Sequence, residues 1–358
     1  MKILHVLQSP RAEGTVRLAL DWLAETDIDQ EVFVLNPQPA ELTAELRRAA
    51  LWYSEGRNWP RGWGKFWWML RESHEVCLRR RPDLVLCWTN GFSPWILAGA
   101  RWAGIRRLLT HAGNPPSWDR AGQASTVLST GVAWLTGGKM VCCSRYVAGE
   151  FARSPGAFRS VLRCVHNCAP VPLFRAVARK VRAERLDGRP RLVMVATLEG
   201  HKDHDTLLRA MPAVIAAVPG VHLSLAGNGS LRPRLEALAR SLGIDGRVDF
   251  LGSCADVPTL LGGCDLFVFS TTREEGLGTV LIEALAAGLP VVASDVPACR
   301  ELLEEGRWGV LVNPGDPAAL AQAVIRRLGE PAGEESPGLG AYLESFLPGH
   351  MMAAYLEI

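Results

Sequence analysis

No stretch of this 358-residue chain runs to about 18 uncharged apolar residues, so no membrane-crossing helix is expected. No Cys-x-x-Cys pair occurs among the nine scattered cysteines. Cys142-Cys143 and Cys164/Cys168 also lack the His or Cys partners of a zinc site. The cysteines read as reduced core thiols of a cytosolic protein. Also missing are a Gly-x-Ser-x-Gly elbow, a Walker lysine loop and a His-Glu-x-x-His pair, which removes three common hydrolytic chemistries. The opening Met1–Gln8 is too short and too polar-interrupted for a signal peptide and reads as a first buried strand.

What is present points to a globular protein. Hydrophobic residues make up 48% and mean hydropathy is +0.08, enough for a full core. The length suggests two domains, because single cores seldom grow past about 250–300 residues. Net charge is only +2 but uneven. Residues 1–170 hold 21 Lys and Arg against 14 Asp and Glu; residues 171–358 hold 18 against 23. Of the twelve tryptophans only Trp308 lies in the second part. A basic, Trp-rich first half suits a partner that is anionic and partly apolar.

Short apolar runs alternate with helix-like stretches, the pattern of α/β folds with parallel sheets. The expected strands of the first half are Ile3–Leu7, Glu31–Leu35, Leu84–Trp88, Arg107–Thr110 and Met140–Cys143. Those of the second half are Arg191–Ala196, His222–Ala226, Val248–Leu251, Leu266–Phe269, Val291–Ala293 and Gly309–Leu311. Two successive Rossmann-like domains follow, 1–170 and 171–341. Their join lies near Asn167–Arg175, where two prolines interrupt regular structure. Glu330–Gly340 reads as a Pro- and Gly-rich loop, and Tyr342–Ile358 as a closing helix that returns to the first domain.

The most informative segment runs from Arg273 to Pro290. Glu275 precedes a helix in a turn marked by Gly276 and Gly278. Glu283 sits about one turn inside that helix, which Gly288 and Pro290 end. A glycine turn feeding a helix offers free N–H groups and a partial positive charge to an anion. Two carboxylates beside it suit a ligand with both phosphates and hydroxyls. Lys202 lies between a strand and a helix, where it can neutralise a diphosphate or, taken alone, stand as a solvated surface lysine. Gly227-Asn228-Gly229 is either a phosphate cradle or a plain tight turn. Asp203-His204-Asp205 could suggest a metal, but Asp at a helix start caps free N–H groups, and that reading is preferred.

In the first half Gly14 opens a helix after the first strand, and a glycine there lets a ligand approach the backbone. His111 follows strand Arg107–Thr110 beside Gly113 and is either a ligand-facing or a satisfied structural histidine; Ser144 follows another strand the same way, as a second such candidate or as a helix N-cap. The segment Arg57–Arg71 mixes bases with Trp59, Trp63, Trp67 and Trp68. Three readings stand: a helix packed on its own domain, a membrane-surface contact, or, last, single-stranded nucleic acid. Nucleic acid is not taken forward as a partner.

The block Glu275-x7-Glu283, with Gly276, Gly278, Glu283-Ala284, Gly288–Asp295 and Glu301, resembles the signature of retaining glycosyltransferase family 4. Lys202–Leu208, Ala226–Gly229, Val248–Gly252, Cys264–Val268 and Asn313–Leu320 extend the likeness; Val165-His166-Asn167 resembles the end of that family's first domain. The resemblance implies the GT-B fold, with two Rossmann-like domains facing each other across a cleft. The first would bind the acceptor and the second the donor. It implies transfer of sugar from a nucleotide sugar to an acceptor hydroxyl, with retained configuration and no required metal or other cofactor. Glu283 matches the position that holds ribose hydroxyls, and Glu275 the one near the donor sugar. Backbone N–H groups around Gly276, Leu277, Gly278 and Thr279 would hold sugar or phosphate. Lys202 matches the diphosphate lysine, His111 a histidine near the transferred sugar, and Gly14 the glycine loop by the phosphates.

Two departures stand out. The family's usual Arg five residues before the lysine is Thr197 here, and Arg273 is a candidate substitute. The first-half glycine pair is reduced to Gly14, with Arg11 nearby. The expected acceptor, from charge and tryptophan content, is a lipid-linked or polysaccharide glycan of cell-surface polysaccharide assembly, reached from the cytoplasm at the membrane surface. The alternatives are a non-catalytic or partner-dependent subunit of the same fold, or a GT-B sugar-nucleotide epimerase or phosphorylase, which product analysis would separate.

Overall fold

The computed structural model describes residues 1–11, 13–24, 28–56, 60, 62–185, 188–330 and 336–358. Arg57, Asn58, Trp59 and Arg61 of the basic-aromatic segment, and residues 331–335 of the Pro- and Gly-rich loop, lie outside the described residues. The chain divides into two compact units, Met1–Cys168 with Pro348–Ile358, and Ala169–Leu347.

The first unit carries strands β1 (Lys2–Leu7), β2 (Asp29–Val34), β3 (Trp52–Glu55), β4 (Leu84–Cys87), β5 (Arg107–Ala112), β6 (Lys139–Cys142) and β7 (Leu162–Cys164). They form one sheet in the order β3-β2-β1-β4-β5-β6-β7, paired in parallel throughout. The central strands are buried along nearly their whole length because helices cover both faces; β4 is apolar throughout, while β1 carries the buried His5. β3 and β7 were not expected from sequence. Both are edge strands, half-exposed, and neither presents an apolar run.

The second unit carries β8 (Arg191–Val195), β9 (His222–Ala226), β10 (Val248–Gly252), β11 (Leu266–Phe269), β12 (Val291–Ser294) and β13 (Val310–Val312). Their order is β10-β9-β8-β11-β12-β13, again with every strand pairing parallel. In each unit the chain reverses its direction of travel across the sheet, at β1/β4 and at β8/β11. The connections there leave on opposite faces, which opens a crevice at the carboxyl ends of those strands.

The closing stretch is not one helix from Tyr342. It is two, Leu339–Glu344 and Pro348–Leu356, because Pro348 has no N–H to continue the first and is well placed to start another. The first belongs to the second unit and the last to the first unit, where Met351 and Tyr355 are buried against Val16, Trp22 and neighbours. All nine cysteines are free and seven are buried.

Candidate active site

The crevice of the second unit brings Lys202 and Glu275 together across 73 residues of sequence. Lys202 sits in the turn after β8, its N–H donating to the Glu199 carbonyl at 2.9 Å. Glu275 sits in the loop after β11, its N–H donating to the Thr272 carbonyl at 3.1 Å. The Lys202 ammonium donates to Glu275 Oε2 as a close ion pair, the two side chains only 15% and 7% exposed. Gly276 N–H donates to the other oxygen, Oε1, at 3.2 Å. The ammonium also lies 5.2 Å from the centre of the Phe269 ring. Burial by itself would push the Glu275 carboxyl up; the Lys202 charge and hydrogen bond, His201 and the Gly276 N–H outweigh it and hold the group below its ordinary value. Glu275 is therefore an acceptor, and its charged donor is the lysine that the sequence assigns to a diphosphate.

Beyond Glu275 the backbone turns through Gly278, whose φ of +79° favours glycine, into helix Thr279–Ala286. Gly276, Leu277 and Gly278 are buried, Thr279 is half-buried at the helix start, and Glu283 is half-buried within the helix. In the first turn of that helix Leu281 N–H donates to the Gly278 carbonyl at 2.8 Å, and the helix start carries a partial positive charge.

Gly227 and Gly229 have a reason in the protein's own backbone. A Cβ on Gly227 would stand 1.9 Å from the Ala196 carbonyl oxygen, and one on Gly229 2.3 Å from that of Leu198. Leu198 N–H donates to the Asn228 carbonyl at 2.9 Å and Gly227 N–H to that of Gly252 at 2.8 Å. The Asn228 amide donates to Ser253 Oγ at 3.1 Å. The tight turn alone accounts for both glycines: it ties the ends of β8, β9 and β10 together.

Thr197 is half-buried, its carbonyl accepting from Glu199 N–H at 2.9 Å. Arg273 is exposed on the wall of an open cavity of about 750 Å³, with Glu199, Gly200, His201, Thr272 and Glu274. It thus flanks the Lys202 turn. Arg11 pairs with Glu13 at 3.1 Å on the surface. In Asp203-His204-Asp205, Asp203 caps helix His204–Ala217, accepting from Thr206 N–H at 3.2 Å and Thr206 Oγ1 at 2.7 Å, and Asp205 pairs with Arg234 at 2.6 Å. Burial lowers both neighbouring histidines, His204 to about 4.

The first unit places His111 inside β5, not after it: the strand runs two residues beyond Thr110 because His111 and Ala112 still pair with Val141 and Cys142. His111 is 2% exposed, and burial lowers it to about 4, so the ring is neutral near pH 7. It lines a cavity of about 330 Å³ with Thr15, Trp88, Asn90, Asn114 and Ser117 among others. Gly14 opens helix Gly14–Leu23 at the same end of the sheet, with open space where a Cβ would be. Ser144 caps helix Arg145–Arg153, accepting from Val147 N–H at 3.0 Å. Trp88 and Tyr355, both against His111, were missed by the sequence reading. Trp88 ends the expected strand at the β1/β4 crevice and was findable; nothing in linear spacing points to Tyr355.

Helix Gly64–Arg80 settles part of the basic-aromatic segment. Met69, Ser73, Val76 and Cys77 are buried. The helix packs on helix Ser93–Trp102, where a Cβ on Gly99 would stand 2.2 Å from the Leu70 carbonyl oxygen. Trp63 reaches the Phe66 ring at 5.7 Å between centroids, yet it and Trp67 remain 87% and 66% exposed. Among the described residues no helix is long and apolar enough to cross a membrane.

Residues 189–330 match the family described as Glycosyl transferases group 1. A GDP-mannose-dependent alpha-(1-6)-phosphatidylinositol monomannoside mannosyltransferase of Mycobacterium tuberculosis is 30% identical over 277 residues, 71% of this chain and 70% of that protein. The lipopolysaccharide core biosynthesis glycosyltransferase LpsE of Rhizobium meliloti is 37% identical over 123 residues, a match that spans 35% of its length. Among solved structures, Anabaena HepE in complex with UDP-glucose superposes with a TM-score of 0.84 at 22% identity, covering 100% of this chain and 98% of that one. WaaG, a glycosyltransferase involved in lipopolysaccharide biosynthesis, gives 0.74 at 15%, covering 99% of each chain. The fold of two parallel α/β sheets is GT-B.

Proposed function

Because the chain belongs to the group 1 glycosyltransferases, we propose that it moves a sugar, with retained anomeric configuration, from a nucleotide-sugar donor to a hydroxyl of a lipid-linked or polysaccharide glycan acceptor. The observation that carries this reading is the buried Lys202–Glu275 pair at the β8/β11 crevice, beside the start of helix Thr279–Ala286. In the proposed reaction the donor diphosphate takes the Lys202 ammonium and faces the positive end of helix Thr279–Ala286. Glu275, released from the lysine, accepts from sugar hydroxyls, and Glu283 accepts from the ribose. Fixed positive charge where the leaving diphosphate develops negative charge is commonly the largest catalytic contribution. An ammonium and a helix end supply it, and on this reading no divalent metal is required. His111 holds the transferred sugar, with the first unit as the acceptor domain and the second as the donor domain. The likeness to proteins named for GDP-mannose and for lipopolysaccharide assembly, and to a structure holding UDP-glucose, supports this substrate class and leaves the base to be measured.

Calorimetric titration with UDP, GDP and ADP tests the reading. One nucleotide is expected to bind the wild type, and to bind Lys202→Ala at least about tenfold more weakly, the loss of one charge-assisted contact. Arg273→Ala is expected to weaken the same nucleotide by a similar factor; unchanged affinity would remove Arg273 as the stand-in for the arginine absent at Thr197. No binding of any nucleotide by folded protein would instead favour the partner-dependent subunit, for which Thr197 is the specific observation.

The exposed Trp63 and Trp67, beside Lys65, support peripheral contact with the cytoplasmic face of a membrane. Flotation with anionic liposomes at low salt should carry the protein upward, and Trp63→Ala with Trp67→Ala should leave most of it at the bottom. A wild type that never floats ends the membrane reading.

A further inference from the structure

His111 is the polar ring of the first-unit cavity, and its behaviour depends on which nitrogen carries the proton. Nδ1 lies 2.9 Å from the hydroxyl of Tyr355, in the last helix of the chain. Nε2 lies on the other side of the ring, 3.3 Å from where a Cβ of Gly113 would stand, and faces the cavity. Tyr355 is fully buried, and among the described residues its hydroxyl hydrogen-bonds to His111 alone.

We propose that Tyr355 is a positioning residue: its O–H donates to His111 Nδ1 and thereby fixes the neutral ring with its proton on Nε2, directed into the cavity. The alternative, Nδ1–H donating to the phenol oxygen, would leave the phenol proton buried without an acceptor, a cost that the chosen arrangement avoids. Burial raises the Tyr355 hydroxyl well above its ordinary range, so it stays a donor, and burial keeps His111 uncharged.

The surroundings hold both partners in place. The Trp22 ring stands edge-on to Tyr355 at 4.9 Å between centroids. Arg107 donates to the Leu356 carbonyl at 2.6 Å, tying the end of this helix to the start of β5. Trp88, which also packs on Trp22, lies against His111 at 5.3 Å. Trp88 is itself oriented by donating from Nε1 to His5 Nδ1 at 3.0 Å, while His5 Nε2 donates to Gln30 Oε1 at 3.1 Å. The His111 ring is therefore fixed by one aromatic plane and one hydroxyl.

The chemical consequence is specific. His111 offers the ligand an N–H and not a lone pair, so it holds an oxygen of the substrate and does not take its proton. The last turn of the chain thus sets the behaviour of a group in the middle of the first sheet. This deepens the transferase reading proposed above and rests on it for the identity of the substrate; the tautomer itself does not.

Nitrogen-15 NMR of histidine-labelled protein at pH 7, with the His111→Gln spectrum assigning the signal, reads the tautomer without any activity. The expected wild-type result is a protonated Nε2 and an unprotonated, hydrogen-bonded Nδ1. In Tyr355→Phe, which keeps the ring and removes the hydroxyl, the two nitrogens should move toward the averaged shifts of exchanging tautomers. In the transfer assay the same variant should lose about tenfold in kcat, the effect of one hydrogen bond, with the donor KM little changed. A wild-type signal with the proton on Nδ1, or a Tyr355→Phe protein with unchanged nitrogen shifts, overturns the proposal. An unchanged kcat beside altered shifts overturns the positioning role. Absence of any transfer by wild type counts against the proposed function and leaves the NMR result to decide the tautomer.

Discussion

Lys202→Ala is expected to lower kcat/KM by about 100- to 1000-fold, the usual effect of removing one preorganised donor aimed at developing charge. It is also expected to destabilise the second unit by about 3 kcal/mol, because it strands a buried carboxylate. Both effects come from one contact. Glu275 is buried, and the lysine is its charged partner. The sign of the pH dependence separates this account from a generic loss of packing. In the wild type the Glu275 carboxyl is held below its ordinary value of 4.5, so its contribution is present above that value and lost as pH falls through the lowered one. Without Lys202 the burial that pushes the carboxyl up is left without its main opponent. The variant should then gain stability as pH falls from 7 toward 5. Scanning calorimetry at pH 7 and 5 reads this directly, and a variant that loses stability on acidification contradicts it. Adding Glu275→Gln to Lys202→Ala should restore much of the stability and none of the activity. This separates the structural part of the pair from the catalytic part.

Arg80→Ala should cost about 3 kcal/mol with little effect on transfer, the low end of what breaking a buried ion pair does. Its partner Glu31 lies on β2 with its side chain wholly buried. Arg80 donates from Nε to Oε2 at 2.9 Å and from its Nη2 to Oε1, a two-pronged contact that a lysine could not reproduce. The guanidinium also lies 4.6 Å over the Trp52 ring of the edge strand. Lys2 remains 3.7 Å from Glu31 and moderates the loss. Urea unfolding followed by tryptophan fluorescence is a suitable measure, since eleven of the twelve tryptophans lie in residues 1–170. Glu31→Leu combined with Arg80→Ala should recover most of the loss, because the uncompensated charge is then gone. A single variant as stable as wild type would show that Glu31 finds another partner or takes up a proton.

The central strands were readable because a parallel sheet covered on both faces demands unbroken apolar runs, and Leu84–Cys87 and Leu266–Phe269 supply them. The edge strands β3 and β7 were not, because half-exposed edges impose no such pattern. The glycine turn before Thr279 was readable for a local reason: Gly278 adopts a left-handed φ that favours glycine. Asp203 declared itself as a cap by standing just before a helix-forming run, whereas Ser144, at a strand end and before a helix, fitted either a ligand group or the cap it proves to be. Gly227 and Gly229 were ambiguous, because a ligand and a neighbouring backbone impose the same demand for a missing Cβ.

By itself, then, the sequence determined the fold class, most of the strands and the family, because those follow from local period, turn chemistry and short motifs. Only the tertiary structure decided which side chains meet. Lys202 and Glu275 are paired because β8 and β11 are neighbours across the reversal of strand order. His111 is neutral because β5 buries it, and its Nδ1 is occupied because the last helix returns to the first unit. These contacts join residues 73 and 244 positions apart, and no periodicity along the chain encodes separations of that length.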